Sequence, residues 1–212
     1  KHKIKHVFTG SNFSTECCRE PEEWGGYLGI DKLLFGDIFS KFGAGNLSDF
    51  PLVDILIYKI VYKYLHGISV LNPLNHVDFV KKDAETMLRQ KYGWQPFQHK
   101  HHESVFTRFY ESFWLKEKFG FDKRKAHFSS LIMTGQGKRD LLLRRLQASE
   151  LSGVETQNEY DFIADKLNLP VRELNELFCA PNKTFSEYKN KKNLIDLGAK
   201  LLHYIGFEKR LL

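Results

Sequence analysis

The sequence predicts an α/β segment followed by a mostly helical region, and three observations support this fold class. Two strand-like runs, at residues 6–9 and from residue 68, each lead into a polar loop. An amphipathic, helix-like segment follows the second run. After Trp94 no convincing strand pattern occurs. Because strands that alternate with loops and helices are typical of α/β folds, we predict an α/β domain over residues 1–93 and a helical domain over residues 94–212.

Apolar periodicity and helix-ending residues predict the individual helices. The stretch from Pro51 to about His66 is apolar around most of its circumference, so we expect a buried helix there. The other predicted helices lie near residues 31–42, 81–92, 102–119, 123–133, 137–147, 157–167, 171–178 and 191–205.

Composition restricts the class of protein without naming a function. The 212 residues are 42% apolar and 27% charged, as in globular proteins, and the net charge of +6 suits anionic partners. The most apolar stretch, residues 50–65, is too short and too charged to span a bilayer. The three cysteines (Cys17, Cys18 and Cys179) do not form a disulfide framework, and no secretory signal opens the chain. We therefore expect a cytoplasmic protein.

The loop TGSNFSTE directly follows the first predicted strand. In open α/β sheets ligands bind beyond the carboxyl ends of strands, where Gly10 lets a phosphate approach the backbone and Asn12 offers hydrogen bonds. Glu16 has the carboxylate oxygens that Mg²⁺ prefers. The alternative is a plain strand-to-helix turn in which Ser14 or Thr15 caps the helix.

A helix over residues 103–119 has two distinct faces. Its aromatic residues share one face, which we expect to belong to the core: Phe106, Phe109, Tyr110, Phe113 and Trp114. The opposite face carries Ser104, Thr107, Arg108 and Glu111, and it is either solvated or the polar wall of an active site.

The next helix places Lys123, His127, Ser130 and Thr134 on one side. Arg124 can clamp a carboxylate or phosphate with two parallel hydrogen bonds, and His127 can transfer a proton near neutral pH. The alternative is that these are surface charges and satisfied core polar groups. A zinc site is not expected from the neighbouring histidines and the Cys17–Cys18 pair, because no spaced metal-binding motif occurs.

Two segments resemble known families. The loop TGSNFSTE looks like the second nucleotide-site motif of the PP-loop ATP pyrophosphatases, and residues 69–93 resemble their last core strand and helix. Residues 100–136 are similar to the motif block of the N-acetyl sugar amidotransferases of bacterial surface-polysaccharide (lipopolysaccharide, O-antigen) synthesis. The matching positions are Lys100, His101, Glu103, Ser104, Phe106, Thr107, Arg108, Phe109, Asp122, Lys123, Arg124, Ala126, His127, Ser129, Ser130, Gly135 and Gln136.

The resemblance implies a partial Rossmann-like ATP-pyrophosphatase domain and a reaction that uses ATP and Mg²⁺. The acetamido oxygen of a sugar is adenylated with loss of pyrophosphate, and ammonia then displaces AMP to give an acetamidine. The implied nucleotide-binding residues are Thr9, Gly10 and Asn12, and the implied Mg²⁺ ligand is Glu16. The implied catalytic residues are His101, His127, Arg108, Lys123 and Arg124. The implied substrate-binding residues are Lys100, Glu103, Ser104 and Thr107.

The sequence also departs from the pattern of that family. Gln98 and His99 replace a Gly-Gly pair, and Gly137 and Lys138 replace the usual residues after Gly-Gln. The phosphate loop of the family, Ser-Gly-Gly-Lys-Asp-Ser, and its cysteine-rich segment do not occur in these 212 residues. We expect both to lie upstream of Lys1, and we expect the chain alone to be inactive.

The resemblance also implies partners. None of the cysteines lies in the Gly-x-Cys-x-Gly elbow of glutaminases, so it implies a separate glutaminase subunit of the imidazole-glycerol-phosphate-synthase kind. A barrel subunit would be a further partner and a sugar nucleotide the substrate. Nucleic acid is not expected, because the aromatic residues lie on predicted core faces.

Two alternatives stay open: a tRNA-thiolating or NAD-synthetase-like PP-loop enzyme, and a basic helical module without catalytic activity. The sugar, its carrier and the oligomeric state cannot be predicted.

Overall fold

The computed structural model describes residues 3–27, 31–55, 57–97 and 103–204. Most of the described residues are helical, and they include a small two-stranded parallel sheet. The strands are β1 (His6–Phe8) and β2 (Ser69–Leu71). The α-helices are α1 (Phe13–Glu16), α2 (Lys32–Phe42), α3 (Lys81–Tyr92), α4 (Val105–Phe109), α5 (Leu115–Phe119), α6 (Arg124–Met133), α7 (Arg139–Gln147), α8 (Gly153–Lys166), α9 (Val171–Cys179) and α10 (Lys192–Tyr204). Two π-helical segments span Ile57–Leu65 and Tyr110–Trp114, and 3-10 turns span Glu22–Trp24, Leu47–Asp49, Pro73–His76 and Phe185–Glu187. Within the described ranges, no helix combines the length and the apolar character that a membrane crossing requires.

Both predicted strands are confirmed, and they pair with each other. The helix predicted at residues 81–92 is also confirmed as α3, which Gly93 ends in the left-handed conformation with φ at 63°. The sheet in the described part of the chain has two strands. The Rossmann-like domain predicted for residues 1–93 therefore stays a prediction.

Contacts divide the chain into two compact units. The first unit comprises Lys1–Val7, Gly25–Ser69 and Lys183–Leu212, and the second comprises Phe8–Trp24 and Val70–Asn182. The domain boundary predicted between residues 93 and 94 lies inside the second unit, and it also stays a prediction.

Buried aspartates hold the first unit together. Asp31 is fully buried and accepts a hydrogen bond from the backbone N–H of Lys191 at 2.6 Å. Asp37 accepts one from the backbone N–H of Lys189 at 3.0 Å. Asp54 forms an ion pair with the side chain of Lys191. These contacts fix the segment before α10, and no local sequence pattern predicts them.

Asp31 also caps α2. Its carboxylate accepts hydrogen bonds from the Leu33 backbone N–H at 2.8 Å and from the Tyr27 hydroxyl at 2.7 Å. Burial alone raises the pKa of Asp31, but the hydrogen bonds from Tyr27, Lys191 and the first turn of α2 outweigh it and hold the pKa below its ordinary value. Burial, together with the hydrogen bond to Asp31 and its charge, raises the pKa of Tyr27 to about 12.

The stretch from Pro51 to His66 corrects a prediction. It is not one buried helix, because its π-helical part begins only at Ile57 and much of its apolar surface is exposed, with Leu65 76% exposed. Among the residues of this stretch whose burial is described, Asp54 and Ile55 are buried. The ion pair between Asp54 and Lys191 accounts for the burial of Asp54.

The core of the second unit forms where α4 packs on α8 and α9. Its buried members are Phe109, Tyr160, Ile163, Ala164 and Leu174, with Phe113 and Trp114 packed against them. The aromatic face predicted for residues 103–119 is thus confirmed for Phe109, Phe113 and Trp114. It is wrong for Phe106 and Tyr110, which are exposed and stack on each other with ring centres 6.0 Å apart. The π-helical segment Tyr110–Trp114 changes the angular spacing that the prediction assumed from Tyr110 onward, whereas Phe106 lies before it in regular α-helix.

Replacing Asp31 with Ala should lower the free energy of unfolding by about 2–4 kcal/mol at neutral pH, because it removes a helix cap and leaves buried donors unpaired. Chemical denaturation followed by circular dichroism measures the change. Because the folded pKa is lowered, the stabilisation is present above the ordinary aspartate pKa and is lost as the pH falls through the lowered value. The difference between the variant and the unmodified protein should therefore shrink in acid.

Asp49 provides the matched control, since it is an exposed aspartate of the same unit. Asp49→Ala should change the free energy of unfolding by no more than about 0.5 kcal/mol. Equal stability of the two variants at neutral pH would contradict the role assigned to Asp31.

Candidate functional site

The segment after β1 caps helix α1 through hydrogen bonds among its own residues. Asn12 is buried and is the N-cap of α1, where its side-chain oxygen accepts hydrogen bonds from the backbone N–H of Thr15 at 2.9 Å and from the Thr15 hydroxyl at 3.1 Å. Its side-chain amide donates to the carbonyl of Gly10 at 3.2 Å. The cap is therefore Asn12, in place of the expected Ser14 or Thr15, because only Asn12 has the extended backbone that precedes the first helical turn.

The polar face of α6 holds this segment by its backbone. Ser130 is fully buried, and its hydroxyl accepts a hydrogen bond from the backbone N–H of Cys18 at 2.9 Å. The hydroxyl of Thr134 donates to the carbonyl of Ser14 at 2.7 Å. His127 Nδ1 lies 3.4 Å from the carbonyl oxygen of Thr15. The predicted side of α6 is thus an anchoring surface for residues 14–18.

Gly135 and Gln136, just after α6, add further contacts to the segment after β1. Gly135 has φ at 71°, which favours glycine, and it turns the chain after α6. The side-chain amide of Gln136 then donates to the carbonyls of Ser14 at 3.2 Å and Phe79 at 3.3 Å, while its oxygen accepts from the backbone N–H of Lys81 at 2.9 Å. These contacts give the Gly-Gln pair of the matched motif a structural role.

Gly137, a departure from the family pattern, is required by packing. A Cβ atom at this position would lie 2.5 Å from a side-chain carbon of Leu142 and 3.3 Å from Cβ of Leu131. Leu142 is buried, so it has little room to move away.

A cleft of about 1090 Å³ lies in the second unit beside this attachment. Six of the predicted site residues line it: Glu16, Glu103, Arg108, Lys123, Arg124 and His127. Five others do not line it: Thr9, Gly10, Asn12, Ser104 and Thr107. Lys100 and His101 lie outside the described residues.

Lys123 is held between two carboxylates on the cleft wall. Its ammonium nitrogen lies 3.2 Å from Glu20 and 3.1 Å from Glu111. Burial alone lowers the pKa of Lys123, but the hydrogen bonds and charges of Glu111 and Glu20 outweigh it and raise the pKa above its ordinary value. Lys123 therefore carries a fixed positive charge at neutral pH. No sequence pattern marks Glu20 as a site residue.

Arg124 is fully engaged within the protein. Its Nε and Nη2 donate to the carboxylate of Asp122, the first at 2.9 Å and the second at 2.7 Å. Its remaining N–H groups donate to the carbonyls at the end of α7, those of Arg145, Leu146 and Ala148. All five guanidinium donors are used in this way. This corrects the expectation of a ligand-binding Arg124, since it has no donor left for a phosphate or a sugar carboxylate.

Arg108 forms an ion pair with Glu159, a buried residue of α8. The side chain of Arg108 is 31% exposed and also lines the cleft. Sequence reasoning missed Glu159, because nothing in the local pattern of α8 distinguishes it from a surface glutamate.

The hydroxyls of Ser104 and Thr107 serve the start of α4. Ser104 is the N-cap, and its oxygen accepts hydrogen bonds from the Thr107 backbone N–H at 3.2 Å and from the Thr107 hydroxyl at 3.1 Å. Neither residue lines the cleft, and their predicted contact with the substrate stays a prediction. Glu103, by contrast, lies on the cleft.

Metal binding by protein groups alone is not indicated in the described residues, where no three His, Cys, Asp or Glu side chains form a potential metal site. Mg²⁺ that arrives with phosphates needs only one or two carboxylates, because phosphate and water supply its other ligands. Glu16 lines the cleft and fits that limited requirement.

Replacing Ser130 with Ala should lower the free energy of unfolding by about 1–3 kcal/mol, because the backbone N–H of Cys18 loses a buried partner. Urea denaturation measures the effect. Ser129→Ala is the matched control, since Ser129 is the exposed neighbour on the same helix, and it should change stability by less than about 0.5 kcal/mol. The assignment fails if the two variants are equally stable.

Comparison with known families gives one result. Residues 103–202, from just before α4 into α10, match the family described as LPS biosynthesis protein WbpG-like, C-terminal domain. No curated protein matches the chain, and no solved structure matches it. The family match covers α4 and α6 of the cleft wall together with α8 and α9, and it supports a relationship of this chain to a family of LPS biosynthesis proteins.

Proposed function

We propose that the protein is the synthetase part of an ATP-dependent N-acetyl sugar amidotransferase, which converts a sugar acetamido group into an acetamidino group. The family match supports a role in lipopolysaccharide biosynthesis. The observation that carries the proposed reaction is the cleft, where Glu16, Arg108, Lys123 and His127 lie together beside the segment after β1. Cations, carboxylates and an imidazole are the groups that this reaction requires.

The reaction needs activation because an amide oxygen is a poor leaving group. Transfer of AMP from ATP to the acetamido oxygen, with loss of pyrophosphate, converts that oxygen into part of a good leaving group. Ammonia then attacks the imidate carbon, the carbon–oxygen bond breaks, and AMP leaves with the former acetamido oxygen. Negative charge increases on phosphoryl oxygens during these steps, so positioned cations lower the barrier.

In this proposal, Lys123 and Arg108 bind phosphate or carboxylate oxygens of the substrates. Lys123 is suited to the role because Glu20 and Glu111 fix its ammonium group on the cleft wall. His127 takes the proton that ammonia loses on attack, since an imidazole titrates near neutral pH. Glu16 contributes a carboxylate to nucleotide-bound Mg²⁺, and Glu103 binds the sugar.

The remaining assignments concern the turn after β1, two residues outside the described ranges, and the partner subunits. The backbone of the Thr9–Asn12 turn is proposed to contact the nucleotide, whereas the Asn12 side chain acts as a helix cap. Lys100 and His101 are proposed to act in phosphate binding and proton transfer. A glutaminase subunit, with a barrel subunit, is proposed to supply ammonia in the cytoplasm.

The reaction is tested by incubating the complete protein with ATP, Mg²⁺, ammonium and candidate diacetamido sugar nucleotides. The expected result is release of AMP and a sugar product about 1 Da lighter, as oxygen is replaced by NH. Mass spectrometry of the sugar nucleotide measures the product. AMP release without any change in the sugar, or no turnover with every candidate, would contradict the proposed reaction.

Replacing Lys123 with Ala should lower turnover by about 100-fold, because a fixed cation near the developing charge is lost. Lys125→Ala is the matched control, since Lys125 is an exposed neighbour that does not line the cleft. The control should retain turnover within about twofold of the unmodified protein. Steady-state AMP release measures both variants, and equal rates for the two would remove Lys123 from the mechanism.

A further inference from the structure

We infer that Glu159 is a positioning residue, which fixes the guanidinium of Arg108 for an anionic group of the ligand in the cleft. The inference rests on the part of the proposed function that assigns anion binding to Arg108. It adds a residue of α8 to the site, although α8 contributes no residue to the cleft lining.

The geometry places the two charges in different surroundings. Glu159 is on α8 with a side chain only 6% exposed, next in sequence to the core residue Tyr160. Arg108 is on α4, directly before the core residue Phe109, and reaches the cleft. Nη2 of Arg108 contacts Oε1 of Glu159, so the pair joins the buried interior to the cleft wall.

Stability alone does not explain this pair. Apart from the ion pair, neither carboxylate oxygen of Glu159 has a hydrogen-bond partner among the described residues, and Nε of Arg108 is also buried without one. Removing a carboxylate from water with so few partners is unfavourable, and buried ion pairs are often no more stable than apolar replacements. A requirement for a fixed guanidinium accounts for a charge in this place.

The pair also leaves Arg108 able to bind. A guanidinium has five N–H donors in a planar fork, and Glu159 contacts it through Nη2. Arg108 differs in this respect from Arg124, whose donors are all used by Asp122 and backbone carbonyls. Orientation by a buried carboxylate reduces the side-chain entropy that is lost when an anion binds.

Positioning and simple charge compensation predict opposite results. The negative charge of Glu159 opposes the binding of an anion in Coulombic terms. If Glu159 only neutralised Arg108, its removal would leave anion affinity unchanged or increased. If Glu159 positions Arg108, its removal weakens binding although a negative charge has been removed.

The test is calorimetric titration of inorganic pyrophosphate into the 212-residue chain and its variants. Glu159→Gln should weaken binding by about 10-fold, and Arg108→Ala should weaken it by about 10-fold or more. The double variant should bind as Arg108→Ala does, within about twofold, because Glu159 acts only through Arg108. Circular dichroism verifies folding, and if Glu159→Gln does not fold, Glu159→Asp, which retains the charge with a shorter side chain, should show the same weakening.

Ser152→Ala is the matched control, since Ser152 caps the same helix through its capping box with Glu155. It should reduce stability by about 1 kcal/mol and leave pyrophosphate affinity unchanged.

Three outcomes would overturn the inference. They are unchanged or tighter binding by the folded Glu159 variant, a further loss of affinity in the double variant, and no binding by the unmodified chain. The titration needs neither ATP nor ammonia. A chain that binds pyrophosphate through Arg108 and Glu159 but forms no amidine would contradict the proposed reaction alone.

Discussion

The attachment of the segment after β1 to the polar face of α6 is the interaction on which the rest of the site depends. Ser130 and Thr134 bind backbone groups of Cys18 and Ser14, more than a hundred residues earlier in the chain. Because these bonds use main-chain atoms, they hold the position of the segment whatever side chains it carries. Glu16 and Glu20 are thereby brought to the cleft that Lys123 and His127 also line.

The charged side chains around the cleft differ in whether their partners belong to the cleft wall or to the end of a neighbouring helix. Arg124 and Asp122 hold the end of α7, and the hydrogen bond from Arg124 keeps the pKa of Asp122 below its ordinary value although burial raises it. The Lys123 ammonium group, by contrast, forms ion pairs with Glu20 and Glu111, which line the same cleft. The neighbouring residues Lys123 and Arg124 thus have different partners: Lys123 pairs with carboxylates on the cleft, and Arg124 holds the end of α7.

Sequence patterns predicted the parts of this structure that depend on local spacing. The limits of α3, its glycine stop and the shared side of Lys123, His127, Ser130 and Thr134 follow from helical periodicity and helix-end chemistry. The fork geometry predicted for Arg124 also occurs, with Asp122 as its partner. The helix phase was wrong from Tyr110 onward, where the π-helical segment altered it, and Phe106 in the regular turn before it is also exposed.

Long-range partners could not be predicted in the same way. Nothing in the local sequence indicates that Asp31 binds the backbone of Lys191, or that Glu159 pairs with Arg108, because both contacts depend on packing between distant segments. The role of Asn12 could not be predicted from local sequence either. An asparagine that binds a nucleotide and one that caps a helix occur in the same local sequence pattern. Patterns therefore predicted which residues are chemically able to act. The structure shows that several of them, such as Ser130 and Thr134, line the cleft and also anchor the segment after β1.

Hydrogen exchange at the backbone amide of Cys18 in the unmodified protein tests the central claim most directly. If Ser130 binds this amide, exchange should be at least about 100-fold slower than in an unstructured chain, with the same opening free energy as the amides in the middle of α6. Exchange at nearly the unstructured rate, while α6 stays protected, would show that the segment is not attached. The cleft would then lose the wall formed by residues 15–20.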